Sequence, residues 1–89
     1  MTARDAVPRL RAGVRRAYDR TRDSDVVLFP EGVLVLNETA AAVLARCDGS
    51  STIAEITEGL AEEFDGVRPE DVAELVADLA RRRVVRVDG

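Results

Sequence analysis

The sequence predicts an α+β domain: a three-stranded antiparallel sheet followed by a three-helix bundle, in a winged helix-turn-helix-like order. Three observations carry this. Residues 26–29 and 33–36 are apolar, β-branched runs flanking Pro30-Glu31-Gly32, the pattern of a hairpin. Beyond Leu36 the apolar period changes from 2 to about 3.6. Helix-capping chemistry opens that second half, with Asn37 before Glu38 and a T-x-x-E box from Thr52 to Glu55.

At 89 residues the chain is one domain, near the lower limit for a core without staples. Residues 1–13 show no sustained period, and residues 1–7 are expected to be a flexible tail ahead of a domain over residues 8–89. From Val14 a weak alternation of Val14, Arg16 and Tyr18 against Arg15, Ala17 and Asp19 reads as a first strand lying at an edge. Residues 20–25 are polar turn chemistry. The hairpin then completes a meander.

The first helix is expected from Glu38 to about Cys47, with Ala40, Val43, Leu44 and Cys47 on its buried face and Asp48-Gly49 ending it. Ile53, Ile56, Leu60 and Phe64 form the stripe of a second helix, closed by Asp65-Gly66. Gly59 inside it costs roughly 1 kcal/mol relative to Ala and marks close approach to a neighbour. The third helix opens at Pro69, with Glu70 and Asp71 at its positive end, and buries Val72, Leu75, Val76 and Leu79. One flank is acidic and the other carries Ala73, Ala77 and Ala80. After residues 81–83, three arginines at the negative end, residues 84–87 make a short extended tail.

Composition narrows function. A 46% apolar content supplies a core and 34% charged residues cover a surface, as in a soluble domain. No apolar run reaches the roughly 18 residues of a membrane span, and no signal-peptide core is present, so the expectation is a cytoplasmic protein with no membrane partner. The chain has no histidine and one cysteine, Cys47, which reads as a buried hydrophobe. No phosphate-loop, dinucleotide or metal-ligand motif occurs, and adjacent acids such as Glu62-Glu63 read as solvated surface. No cofactor, no metal and no catalytic residue are expected, and the chain is expected not to be an enzyme.

Net charge of −4, with Glu70, Asp71, Glu74 and Asp78 where a recognition helix would meet phosphate, weighs against nucleic acid. A winged-helix DNA-binding regulator is the runner-up. The leading reading is peptide binding by strand addition. In a meander the third strand keeps a free edge, and its unpaired backbone groups can receive an extended peptide. Val33, Leu34, Val35 and Leu36 supply the edge, and Ala73, Val76, Ala77 and Ala80 a shallow apolar wall. Without peptide, the same edge can pair with a second copy as a homodimer.

Five segments also resemble a known family. P-R-L-x-x-G-V-R from Pro8 to Arg15, F-P-E-G-V-L-x-L-N from Phe29 to Asn37, T-A-A-x-V-L from Thr39 to Leu44, the Asp48-Gly49 pair, and T-I-x-E-I from Thr52 to Ile56 together resemble PqqD, the small protein of pyrroloquinoline quinone (PQQ) biosynthesis. The resemblance implies a peptide chaperone and recognition element for a ribosomally made, later modified peptide. Its partners would be the precursor peptide PqqA and the radical S-adenosylmethionine enzyme PqqE. The leader would add antiparallel to the third strand and lie against the third helix. Related elements serve leader peptides of other modified-peptide pathways, which is the second alternative.

Overall fold

The structure, a computed structural model, describes residues 3–88. One 3-10 turn, Ala3–Asp5, precedes β1 (Val7–Leu10), β2 (Arg15–Asp19), β3 (Ser24–Phe29) and β4 (Gly32–Leu36). Then come α1 (Glu38–Ala45), α2 (Ile53–Leu60), α3 (Pro69–Arg81) and β5 (Val85–Asp88). Strands β2, β3 and β4 form the expected antiparallel meander, with β3 central, and the three helices follow it. The α+β class and this order agree with the sequence reading. A second sheet, β1 with β5, does not.

That second sheet corrects both expected tails. Val7 pairs with Asp88 and Leu10 with Val85, so the two ends of the chain close on each other. The Ala3–Asp5 turn and β1 replace the frayed start, while Met1 and Thr2 of that expected tail lie outside the described residues. The other side of β1 is tied down by three backbone bonds. Leu10 N–H donates to Cys47 C=O at 3.3 Å, Gly49 N–H to Pro8 C=O at 3.0 Å and Ile53 N–H to Ala6 C=O at 2.9 Å. Pro8 offers no donor and needs none here, and it is buried. Strands of four residues whose partners lie at the opposite end of the chain leave no local period to read.

The turn into β5 has its own device. Arg83 takes the left-handed conformation, φ 63°, at the position after the helix cap where glycine is usual. Val84 N–H then donates back to Leu79 C=O at 2.9 Å. A non-glycine residue there costs about 1 kcal/mol. Val84 and Val85, both essentially buried, offset it.

Helix starts follow the sequence closely and helix ends do not. Asn37 Oδ1 accepts from Ala40 N–H at 2.7 Å. Thr52 and Glu55 exchange both bonds of the capping box, at 3.1 and 2.8 Å. Arg68 N–H donates to Asp71 Oδ2 at 3.3 Å ahead of Pro69. Yet α1 ends at Ala45 rather than Cys47, and α2 at Leu60 rather than Phe64. After Leu60 the chain tightens, with Glu63 N–H donating to Leu60 C=O at 2.9 Å, and Phe64 still packs against the core. Gly59 has the expected close neighbour: a Cβ there would lie 2.9 Å from Arg46 Nε.

One core joins these parts. Val27 and Leu36 from the sheet meet Val43 and Leu44 of α1, Ile56 and Leu60 of α2, Val76 and Leu79 of α3. Burial of each such side chain contributes roughly 1.5–3 kcal/mol. The core face of the meander is therefore fixed, and with it the direction in which β4 presents its edge.

Candidate functional site

In the meander, β4 pairs with β3 on one side, and among the described residues no strand pairs with its other side. The register sets which groups are free. Phe29 opposes Gly32 across the two-residue turn Pro30-Glu31, and a turn of that length closes on a hydrogen-bonded pair. Antiparallel bonding alternates, so Val27 and Leu34 also bond to each other, as do Asp25 and Leu36. Val33 and Val35 therefore turn their N–H and C=O groups away from β3. These two residues are also 55% and 50% exposed. The edge thus offers two donors and two acceptors on consecutive alternate residues, the spacing of a further antiparallel strand.

The four predicted strand residues divide by this geometry. Val33 and Val35 have outward backbone and outward side chains. Leu34 is half-buried against the core and Leu36 is 7% exposed, and both spend their backbone on β3. Leu34 and Leu36 hold the strand in place.

The predicted wall lies elsewhere. Ala73, Val76 and Ala77 line an apolar cleft of about 240 Å3 with Ala6, Ile53 and Val87. None of Val33, Leu34, Val35 or Leu36 lines it. Val76 is buried, 2% exposed, and Ala80 is half-buried against the core. The alanine flank of α3 thus looks toward the second sheet. Sequence reasoning missed this because it treated residues 84–87 as a tail, and small residues beside an unrecognised strand look unpartnered.

The meander meets α3 by its other flank. At the hairpin tip Phe29 and Glu31 share a cleft with Arg81, Arg82 and Arg83. Arg81 also borders a cleft of about 450 Å3 with Asp71, Glu74, Leu75 and Asp78. The flank continuous with the hairpin is therefore the acidic one, with Leu75 as its apolar centre. Arg82 Nε donates to Asp78 Oδ2 at 3.0 Å, and this bond holds the Asp78 carboxyl below its ordinary range. At the start of α3, Glu70, Asp71 and Glu74 are exposed, and Arg68 is drawn to Glu70 and Asp71 at 3.8 and 3.7 Å. A phosphate backbone would meet acids there.

Cys47 is 3% exposed, and burial, with the Asp48 charge adding to it, pushes its thiol up to about 12. Its Sγ donates to Val43 C=O at 3.3 Å. It is a packed, protonated side chain.

Comparison with known proteins bears on this arrangement. The family model described as Coenzyme PQQ synthesis protein D (PqqD) matches residues 26–85, from β3 through the first residue of β5. A "PqqA binding protein" of Xanthomonas oryzae pv. oryzae is 47% identical over 87 residues, covering 94% of this chain and 95% of the relative. One from Xanthomonas campestris pv. campestris is 46% identical over 88 residues, 96% of each chain. Among solved structures, the solution structure of the PqqD truncation of Methylobacterium extorquens PqqCD, described as a functional, stand-alone recognition element for ribosomally synthesised, modified peptides, aligns with a TM-score of 0.72 at 34% identity. That alignment covers 96% of this chain and 93% of the other. The crystal structure of PqqD from Xanthomonas campestris aligns with a TM-score of 0.52 at 40% identity, covering 97% and 99%. With a family match over most of its length and relatives at this identity end to end, the chain belongs to the PqqD family of coenzyme PQQ synthesis proteins.

Proposed function

We propose that this chain is the peptide-binding chaperone of PQQ biosynthesis: it takes the ribosomal precursor peptide PqqA as an added strand along β4 and presents it to the radical S-adenosylmethionine enzyme PqqE. The observation that carries the reading is the outward backbone of Val33 and Val35 on a strand whose own pairing is complete on the other side. Relatives named for PqqA binding and a related recognition element of the same fold support it.

The energetics suit a carrier. Four hydrogen bonds at roughly 0.5–1.5 kcal/mol each, with one or two apolar anchors at about 1.5–3 kcal/mol each, must exceed the cost of ordering the peptide. A dissociation constant of about a micromolar, or somewhat tighter, corresponds to some 8 kcal/mol. Peptide held this way is gripped by its backbone and can be handed on. In this reading Leu34 and Leu36 position the strand, while the wall residues Ala73, Val76 and Ala77 serve the cleft beside β5, where a peptide continuing past the edge would have to reach them, and Ala80 packs against the core.

Calorimetric titration with synthetic PqqA across a range of salt concentration tests the reading. Strand addition with apolar anchors predicts saturable binding that changes little with salt. A failure to bind PqqA, or a steep salt dependence with duplex DNA competing for the protein, contradicts it and restores the regulator.

A further inference from the structure

Backbone pairing grips an added strand without reading its sequence, and side chains at alternate positions supply the choice. On the outer face of the meander, register places Ala17, Val26 and Val35 in one cross-strand row, and Arg15, Leu28 and Val33 in the next. Val26 and Val35 are thus the same residue type on the same row, one strand apart. Val26, with a neighbouring strand on each side, is 3% exposed, while Val35, with a strand on one side only, is 50% exposed. The second row repeats the contrast, with Leu28 half-buried and Val33 55% exposed. Single exposed valines are ordinary on a protein surface. These two coincide with the residues of β4 whose backbone faces away from β3.

The pleat fixes what a strand added at that edge must do. A peptide residue bonded to Val33 or Val35 puts its side chain on the same outer face, directly beside the valine. Toward β3 the two valines sit in non-bonded pairs, where Cα atoms approach to about 4.5 Å, whereas toward the peptide they would sit in bonded pairs at about 5.5 Å. The wider spacing leaves room for a branched or aromatic side chain. A charged one would find no partner beside it. The row of Val35 holds no charged residue, and Arg15, the charged member of the other row, stands on β2, two strand spacings or about 10 Å from β4.

We infer that the Val33 and Val35 side chains determine specificity: they select a peptide with uncharged, branched or aromatic residues at two positions separated by one, the residue beside Val35 preceding the residue beside Val33. The order follows from antiparallel addition. The residue between the two turns to the opposite face, beside Leu34, and these valines do not read it. The inference rests on the function proposed above. A strand placed there covers Val33 and Val35 as β4 covers Val26, and each cross-strand pair adds about threefold in affinity over alanine, so both together add about tenfold.

A double-mutant cycle in calorimetry tests this. The wild-type chain, Val33→Ala and Val35→Ala are each titrated with PqqA and with PqqA variants carrying alanine at one position at a time, and slow alkylation of Cys47 confirms an intact fold. The expected result is one PqqA position coupled to Val35 by about threefold. A second position, two residues nearer the peptide's C-terminus, couples to Val33 by a similar factor, and the residue between couples to neither. The pair V33T/V35T keeps a branched strand former at both sites, so its expected several-fold loss of PqqA affinity reports the side-chain contact rather than backbone preference. Wild-type affinity in V33T/V35T, coupling at adjacent positions or in the reverse order, or no coupling at all overturns the inference and leaves PqqA binding itself standing. Absence of PqqA binding to the wild-type chain defeats the proposed function instead.

Discussion

The meander has two edges, and they are built differently. Strand β2 ends the sheet on one side with Arg15, Arg16 and Asp19 among its five residues, while β4 ends it on the other with none charged in Gly32–Leu36. Because each β3 residue bonds to one neighbour only, Arg16 and Tyr18 carry the outward backbone of β2, as Val33 and Val35 carry that of β4. Charged residues on an edge are a common defence against added strands. One edge is guarded and the other is left receptive, and the difference teaches that an open strand is informative only beside a closed one.

The comparison can be broken most severely from inside β4. Leu34→Pro removes a donor that bonds to Val27, so it should cost roughly 3 kcal/mol, by analogy with proline in other hydrogen-bonded positions, and loosen the hairpin. Thermal unfolding and the alkylation rate of Cys47 report it, and an unchanged melting temperature would mean that the bonding alternation is out of phase. The outward positions should behave otherwise. Val35→Pro removes a donor facing solvent, which an edge strand tolerates, yet peptide affinity should fall about tenfold, the equivalent of 1.4 kcal/mol. Tyr18→Pro makes the same change on the guarded edge and should leave peptide affinity within twofold. Equal losses at both positions in calorimetry would erase the distinction.

Two smaller effects sharpen the picture. Gly59→Ala puts a methyl 2.9 Å from Arg46 Nε, the far end of a flexible side chain that also reaches Glu63 at 3.7 Å. The helix gains roughly 1 kcal/mol of propensity and loses part of it to that displacement, so stability should shift by less than about 1 kcal/mol. Peptide affinity should not change in the same titration. Smallest is self-association of the free chain: the receptive edge should give weak dimerisation at high concentration, reduced by Val35→Pro and not by Tyr18→Pro. Sedimentation showing a strict monomer at high concentration would remove this effect.

How much of this the sequence made legible depended on how local the cause was. The hairpin, the caps at Asn37 and Thr52, and most of the apolar stripes of α2 and α3 rest on residues within a turn or two of each other and appear where the pattern put them, except that Phe64 lies past the end of α2 and Leu75 is only half-buried. The β1–β5 sheet rests on contact between the two ends of the chain, so no window contained it. That omission moved the wall: Ala73 and Ala77 share a cleft with Ala6 and Val87, a neighbourhood invisible without β5. The edge itself was legible as a strand. Its division into outward Val33 and Val35 and inward Leu34 and Leu36 needed the register.

Amide hydrogen exchange at four residues tests the central claim most directly. With the free chain, the N–H groups of Val33, Val35, Arg16 and Tyr18 should all exchange quickly, having no partner strand. On saturation with PqqA, Val33 and Val35 should become strongly protected while Arg16 and Tyr18 continue to exchange as before. Protection at Arg16 and Tyr18 instead, or at neither pair, would contradict the account.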